Sequence, residues 1–299
     1  MVLRTNKKSD KKVSLLIGNG SGHEPIAMGF VGKGLLDANV VGDVFAAPTS
    51  DLILEGIKEA YSTAGSILLI SRHEGDVING RAACLDAQDE GMDVRPFLMY
   101  DDISSAPKGQ EEDRRGAAGT IFIYKILGAA SEQCMAIDYL FLLGKRVRSN
   151  TRTLGVTINS GISPITNEAM FTLPKDEVFI GMGVHGEPGV ARKKLGTVNE
   201  LVSFMMDKIF EDKKIHSGET VVVLINGMGG STLMELYSVY NETYNYLKAK
   251  QISNVSPMIG SFSTTQETSG FSISLLIPDE QVLNLWRASH EAPNFPKII

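Results

Sequence analysis

VSLLIGNGSGHEP, residues 13–25, decides how this chain is read. A short apolar run, VSLLI, passes directly into a glycine-rich turn. A run of that length ending in glycines predicts a strand buried on both faces, as in a parallel sheet. The glycines predict a tight exit in which backbone N–H groups approach a ligand closely. Open α/β sheets collect their ligands beyond the carboxyl ends of strands, so His23 stands where such a fold keeps its chemistry. Spacing alone also allows a plain strand-to-helix connection with Ser21 as its N-cap.

Working outward, the first half alternates strands with amphipathic segments. PIAMGFVGKGLLDA (25–38), DLILEGIKEAYS (51–62) and NGRAACLDAQDEG (79–91) are predicted helices. DVFAAP (43–48), SILLIS (66–71) and DVRPFLMY (93–100) are predicted strands. This rhythm implies a parallel sheet with helices on both faces. GTIFIYKILGAASEQC (119–134) and DYLFLLGKRVRSN (138–150) follow as two helices with no strand between them. That break predicts a domain boundary near residue 150. The reading is thus α/β throughout, in two α/β domains: residues 1–150, with a parallel-rich sheet flanked by helices, and 151–299, with a mixed sheet. Strands of the second half are LGVTIN, DEVFIGMGV, ETVVVLING, VSPMIG and FSISLLIP, and its helices are 198–214 and 231–250.

Composition narrows the function. The chain has 299 residues, a net charge of −6 and 21% charged residues. No Lys/Arg-rich face stands out, so direct nucleic-acid binding is not expected. No apolar run reaches the ~20 residues that span a bilayer. Cys84 and Cys134 lie in apolar helical patterns without metal spacing, and are read as reduced core residues of a cytoplasmic protein.

A second glycine-rich run, GMGVHGEPGVAR (181–192), carries His185 just after a predicted strand. One reading is a turn histidine bonded to backbone. The other is nucleophilic, because a neutral imidazole attacks a carbonyl carbon near pH 7. Such an adduct needs a proton donor and an acceptor, and His23 with Asp76 are the candidates. A metal set of His23, Glu24, Asp76, His185 and Glu187 is the rival, but no HxxxH or CxxC spacing supports it. Neither metal nor cofactor is expected. GFVGKG (29–34) lacks the Ser or Thr of a Walker A loop. Asp101 and Asp102, after another strand, read as a loop start and helix cap.

These stretches also carry a resemblance. GNGSGHEP, GFVGKGLLDANVVGDVFAAP, EGDV, DDIS, RRGAAGTIFIYKILGAA, GVHGEPG and ELYSVYN occur in this order across nearly the whole chain. They resemble the dihydroxyacetone kinase family, in its DhaK-type substrate-binding subunit. The resemblance implies a homodimer of two-domain chains. It implies that His185 binds dihydroxyacetone as a covalent hemiaminal, and that Gly20, Ser21, Gly22, His23 and Asp76 hold the ligand. In the kinases the groups at His23 and Asp76 serve as acid and base, and a separate nucleotide or phosphoryl-donor subunit supplies the phosphoryl group.

The chain departs from the kinase pattern at SRHEGDVING (71–80). Ser71, Arg72, His73 and Glu74 replace Lys, Asn, Tyr and Thr, and Gly80 replaces Phe. Ala47-Pro48 replaces Ser-Pro, and TQETSGFS (265–272) lacks the Leu-Asp-Met motif. That pattern is similar to the DhaQ-type paralogue. It implies a dihydroxyacetone-binding coactivator that partners a TetR-like transcription activator of a kinase operon. The alternative is a working kinase subunit.

Overall fold

A computed structural model describes residues 1–5, 9–181, 189 and 191–298. His185 and Glu187 lie outside the described residues. In chain order the first half forms β1 (Val2–Leu3), β2 (Ser14–Ser21), β3 (Ala38–Val44), α1 (Ser50–Ala60), β4 (Ser66–Ser71), α2 (Glu74–Asp89), β5 (Val94–Met99), α3 (Thr120–Glu132) and α4 (Ile137–Ser149). The second forms β6 (Thr151–Asn159), β7 (Glu177–Ile180), β8 (Ala191–Lys194), α5 (Val198–Asp212), β9 (Thr220–Gly227), α6 (Leu233–Ala249), β10 (Ser253–Asn254), β11 (Met258–Gly260), β12 (Ser269–Leu276) and α7 (Glu280–Arg287).

The continuous apolar runs of β2 and β4 exist because both faces of their sheet are covered. Side chains alternate across a strand. Leu16, Leu68 and Ile70 therefore pack against α1 and α2, in one cluster with Ile53, Ile57 and Ala83. Leu15, Ile17, Ile67 and Leu69 turn to the other face and meet Ile121, Leu127 and Leu140 of α3 and α4. The first sheet runs β1-β3-β2-β4-β5. Its four main strands are parallel, with β1 antiparallel at one edge. The second sheet runs β10-β9-β12-β6-β7-β8, with β11 beside β9. It is mixed: β9 pairs in parallel with β10 and β11, while β12 pairs antiparallel with β9 and β6. The α/β reading, with a parallel-rich first sheet and a mixed second, is what the chain forms.

Three local expectations fail, each for a tertiary reason. Residues 25–38 make no α-helix; only a short 3₁₀ turn at Met28–Phe30 appears. The glycines there admit the C-terminal segment: Glu291 N–H donates to the Lys33 carbonyl at 2.9 Å, and Asn294 N–H to that of Gly29 at 2.9 Å. A Cβ at Gly32 would lie 1.9 Å from the Glu291 carbonyl oxygen. Close backbone approach has overridden helical periodicity. The strand expected at 43–48 runs instead over Ala38–Val44. Cys84 is buried as expected, but Cys134 is exposed, with φ at 55° just beyond the end of α3.

Helix α7, absent from the sequence reading, returns the chain to the first half. Val282, Leu285 and Trp286 form its buried stripe, at the i, i+3, i+4 spacing of an amphipathic helix. The Trp286 ring meets Phe122 of α3 edge-on at 5.1 Å, and its Nε1–H donates to the Ser256 carbonyl at 3.1 Å. Among the described residues no helix is long and apolar enough to cross a membrane.

Candidate functional site

The carboxyl ends of β2, β3 and β4 open into a cleft of about 630 Å³. Gly20 and His23 supply one wall, the Phe45–Ala47 turn a second, and residues 71–76 a third. Arg115, Gly116 and Ala117, Tyr124 of α3 and Ser263 of the second half complete it. A narrow recess of about 40 Å³ adjoins it and shares His73, Arg115, Gly116, Ala117 and Ser263. Gly181, the last described residue before the 182–188 segment, lines that recess.

The glycines of 18–25 act as the turn demands. Gly22 adopts φ +96°, and a Cβ there would meet the Phe45 ring at 2.6 Å, so a side chain is excluded on both counts. Its N–H donates to the Glu24 carboxylate at 3.0 Å. Glu24 therefore closes the turn on itself. Ser21 is the last residue of β2, paired with Val44 rather than capping a helix. Neither Ser21 nor Gly22 lines the cleft, whereas Gly20, His23 and Asp76 do.

His23 is 8% exposed. Its ring packs tilted on Phe45, with centroids 5.1 Å apart. Nδ1 lies 2.8 Å from the Thr264 carbonyl oxygen. A carbonyl only accepts, so Nδ1 carries the proton, and in the neutral ring Nε2 bears the lone pair. The 262–264 turn is itself held by Asn226, at the end of β9. Its Oδ1 accepts from the N–H groups of Phe262 at 2.9 Å and Ser263 at 2.8 Å, and its Nδ2 donates to the Ser263 carbonyl at 2.8 Å.

Asp76 lies in the first turn of α2, which begins five residues earlier than periodicity predicted. The Asn79 side chain of the same helix donates to the Pro48 carbonyl at 2.8 Å, tying α2 to the turn beside the cleft. His73 Nδ1 lies 3.2 Å from Ser71 Oγ and 3.8 Å from Asp76 Oδ2. Arg72 is tied to the loop ahead of α3: its Nε donates to the Glu112 carbonyl at 3.0 Å, and its guanidinium pairs with Asp113 at 3.3 Å. Gly80 faces Ile70 and Leu68 under the sheet, so this departure lies in packing rather than in the cleft.

The acidic pair after β5 organises the opposite wall. The Asp101 carboxylate accepts the N–H groups of Ala117 at 2.7 Å and Gly119 at 2.9 Å, just ahead of α3. Burial pushes its carboxyl up to about 6, against the pull of those two bonds. Asp102 takes Arg115 Nη2 at 2.8 Å, and Arg115 also donates to the Gly181 carbonyl at 3.2 Å. Burial raises the Tyr124 phenol well above its ordinary value, so it stays protonated beneath the cleft. No group of three or more His, Cys, Asp and Glu able to hold a metal occurs among the described residues.

Arg115, Tyr124, Thr264 and Asn226 had no role in the sequence reading. The one available signal was Asn226, a polar residue at the end of the apolar run VVVLI. The others are assembled by packing between distant segments.

An open parallel sheet with a polar cleft at its strand ends has the form of a small-ligand-binding α/β protein. Its family follows from comparison. The chain matches the Dak1 domain over residues 1–294, and it belongs to the Dak1 domain family. It is 38% identical over 285 residues to the dihydroxyacetone-binding subunit DhaK of the PTS-dependent dihydroxyacetone kinase 1 of Listeria innocua, covering 95% of this chain and 87% of that one. Its fold superposes on the dihydroxyacetone kinase operon co-activator DhaQ with a TM-score of 0.90 at 32% identity, covering 97% of this chain and 90% of the other. The C. freundii dihydroxyacetone kinase with AMP-PNP and Mg²⁺ also gives 0.90, at 30% identity, over 98% of this chain and 54% of that longer one.

Proposed function

We propose that the chain binds dihydroxyacetone in this cleft, holds it as a hemiaminal on His185, and serves as coactivator of a TetR-like transcription activator of a dihydroxyacetone kinase operon. A homodimer, a cytoplasmic location and a domain boundary at residue 150 belong to the same proposal. The observation that carries ligand binding is the convergence of Gly20, His23 and Asp76 on one polar cleft in a Dak1 family chain. In the hemiaminal step the His185 lone pair forms the N–C bond to the ketone carbon. The carbonyl π pair moves to oxygen, which takes a proton; the ring gives up its N–H proton, and no atom leaves. The two protons exchange with solvent; His23 Nε2 accepts a hydrogen bond from the new hydroxyl, and Asp76 accepts one from a ligand hydroxyl.

The non-catalytic half of the reading is supported by the 71–76 wall, where Ser71, Arg72 and His73 stand in place of the Lys, Asn and Tyr of kinase members. A second reading, the substrate subunit of a kinase, is favoured by the identity to the Listeria subunit over 95% of the chain. There a separate subunit would donate the phosphoryl group to a ligand hydroxyl.

One mixture separates the two: the purified chain, a phosphoryl-loaded or nucleotide-loaded partner subunit, and dihydroxyacetone. The coactivator reading expects no phosphate ester above the partner-only control, and steady turnover ends it. Calorimetry with His185→Ala tests the hemiaminal: binding should vanish, and wild-type affinity in that variant rejects it. Asp76→Asn should weaken binding less, because Asp76 only hydrogen-bonds the ligand.

A further inference from the structure

His73 is a ring at the cleft that this reading leaves without a task. It precedes the first turn of α2, makes no side-chain cap bond there, and its side chain is 19% exposed. It lines both the cleft and the recess behind it. Among the described residues its Nδ1 lies 3.2 Å from Ser71 Oγ and 3.8 Å from Asp76 Oδ2. Because serine and carboxylate face the same ring nitrogen, the trio is not a nucleophile relay, which sets them on opposite nitrogens. It is instead a titrating pair with a hydroxyl beside it.

The hydroxyl supports the neutral ring, whose bare Nδ1 accepts its O–H. The carboxylate instead favours the imidazolium. The amino-terminal end of α2 opposes that charge. The other groups around the ring are Glu74 on its own helix, Arg72 before it, and Arg115 and Asp102 across the recess. His23 and Tyr124 face it across the cleft. Arg72 is paired with Asp113 and Arg115 with Asp102. Asp76, the proposed ligand acceptor, approaches the ring nitrogen at 3.8 Å.

We propose that His73 is a positioning residue that couples ligand retention to pH: when protonated it draws Asp76 into an ion pair and away from the ligand hydroxyl, and when neutral it leaves Asp76 to the ligand. This rests on dihydroxyacetone binding in the cleft. The hydroxyl of Ser71 supports the neutral ring by donating to Nδ1, so its loss shifts the switch to higher pH.

The test is dihydroxyacetone affinity by calorimetry from pH 5.5 to 8.5 for the wild type, His73→Gln and Ser71→Ala, with a thermal melt for each. The wild type should lose about tenfold more affinity towards the acid end than His73→Gln, the size of a one-unit change in one titrating group. Ser71→Ala should begin its loss at higher pH than the wild type. Superimposable profiles for wild type and His73→Gln, with both proteins folded and binding, overturn the coupling alone. If His73→Gln melts early, the Ser71→Ala profile decides, and a profile unshifted from wild type overturns the coupling. Absence of binding by wild type at every pH overturns the functional reading and the coupling with it.

Discussion

The ring of His23 donates from Nδ1 to the carbonyl oxygen of Thr264 at 2.8 Å, across 241 positions of chain. The first half thus supplies the imidazole and the second half sets which nitrogen carries its proton. Thr264 Oγ1 also donates to the Glu24 carbonyl at 2.8 Å and its N–H to the His23 carbonyl at 3.1 Å, so Thr264 joins the two segments three times.

His23→Ala removes a group proposed to meet the ligand oxygen. Loss of one hydrogen bond to a polar ligand is worth roughly 1.4 kcal/mol, or tenfold in affinity. Dihydroxyacetone affinity should fall by at least about that factor in calorimetry. An unchanged dissociation constant would contradict the role given to this ring.

Gly32→Ala tests the packing that replaced the expected helix. The new Cβ would sit 1.9 Å from the Glu291 carbonyl oxygen, against backbone that has no rotamer to adjust. The cost should be about 1–3 kcal/mol, read as a lower denaturant midpoint. A variant as stable as wild type would show that residues 289–294 do not hold this position in solution.

Asp212→Ala should be the most destabilising of these changes. Asp212 receives Arg114 Nη1 at 3.0 Å as well as the Arg152 guanidinium, and Arg114 is 1% exposed. Burial opposes ionisation of Asp212, yet the bonds from the two arginines hold its carboxyl below the usual range. Removing it strands two cations between the halves, which costs about 3–5 kcal/mol. The depressed carboxyl gives stability that is present above the unfolded value and lost as pH falls through the folded one. Wild type and variant should therefore converge in strong acid, and a constant gap at every pH would refute this.

Asp101 has the opposite sign. Its folded carboxyl stands at about 6 against an ordinary 3.8, so the folded state binds more protons between those values. Its contribution grows as pH falls through that window and is lost as pH rises. Unfolding of wild type and Asp101→Asn at pH 4.5 and 7 checks it. The wild-type advantage should be larger at pH 4.5, and a smaller one would be wrong for a carboxyl raised by burial.

Much of the architecture was legible because the physics involved is local. VSLLI and SILLIS are short apolar runs that only a doubly covered strand can hide. DLILEGIKEAYS carries a helical stripe, with Thr49 ahead of it accepting the Leu52 N–H at 3.4 Å. What went unread depended on partners far away. Residues 25–38 look helical until the C-terminal segment is laid on their glycines. Cys134 sits in an apolar pattern, yet it falls one residue beyond the helix's C-cap and turns outward.

The same division holds for the site. Residue order alone determined an α/β protein of two sheets, with glycine-rich turns after buried strands and His23 and Asp76 near strand ends, because periodicity and turn chemistry act over a few residues. Only the tertiary structure decided that Thr264 sets the proton on His23 and that Asp102 and Arg115 close the far wall. Those relationships are distances between segments 13 to 241 residues apart, and a contact made by folding has no period in the chain that makes it.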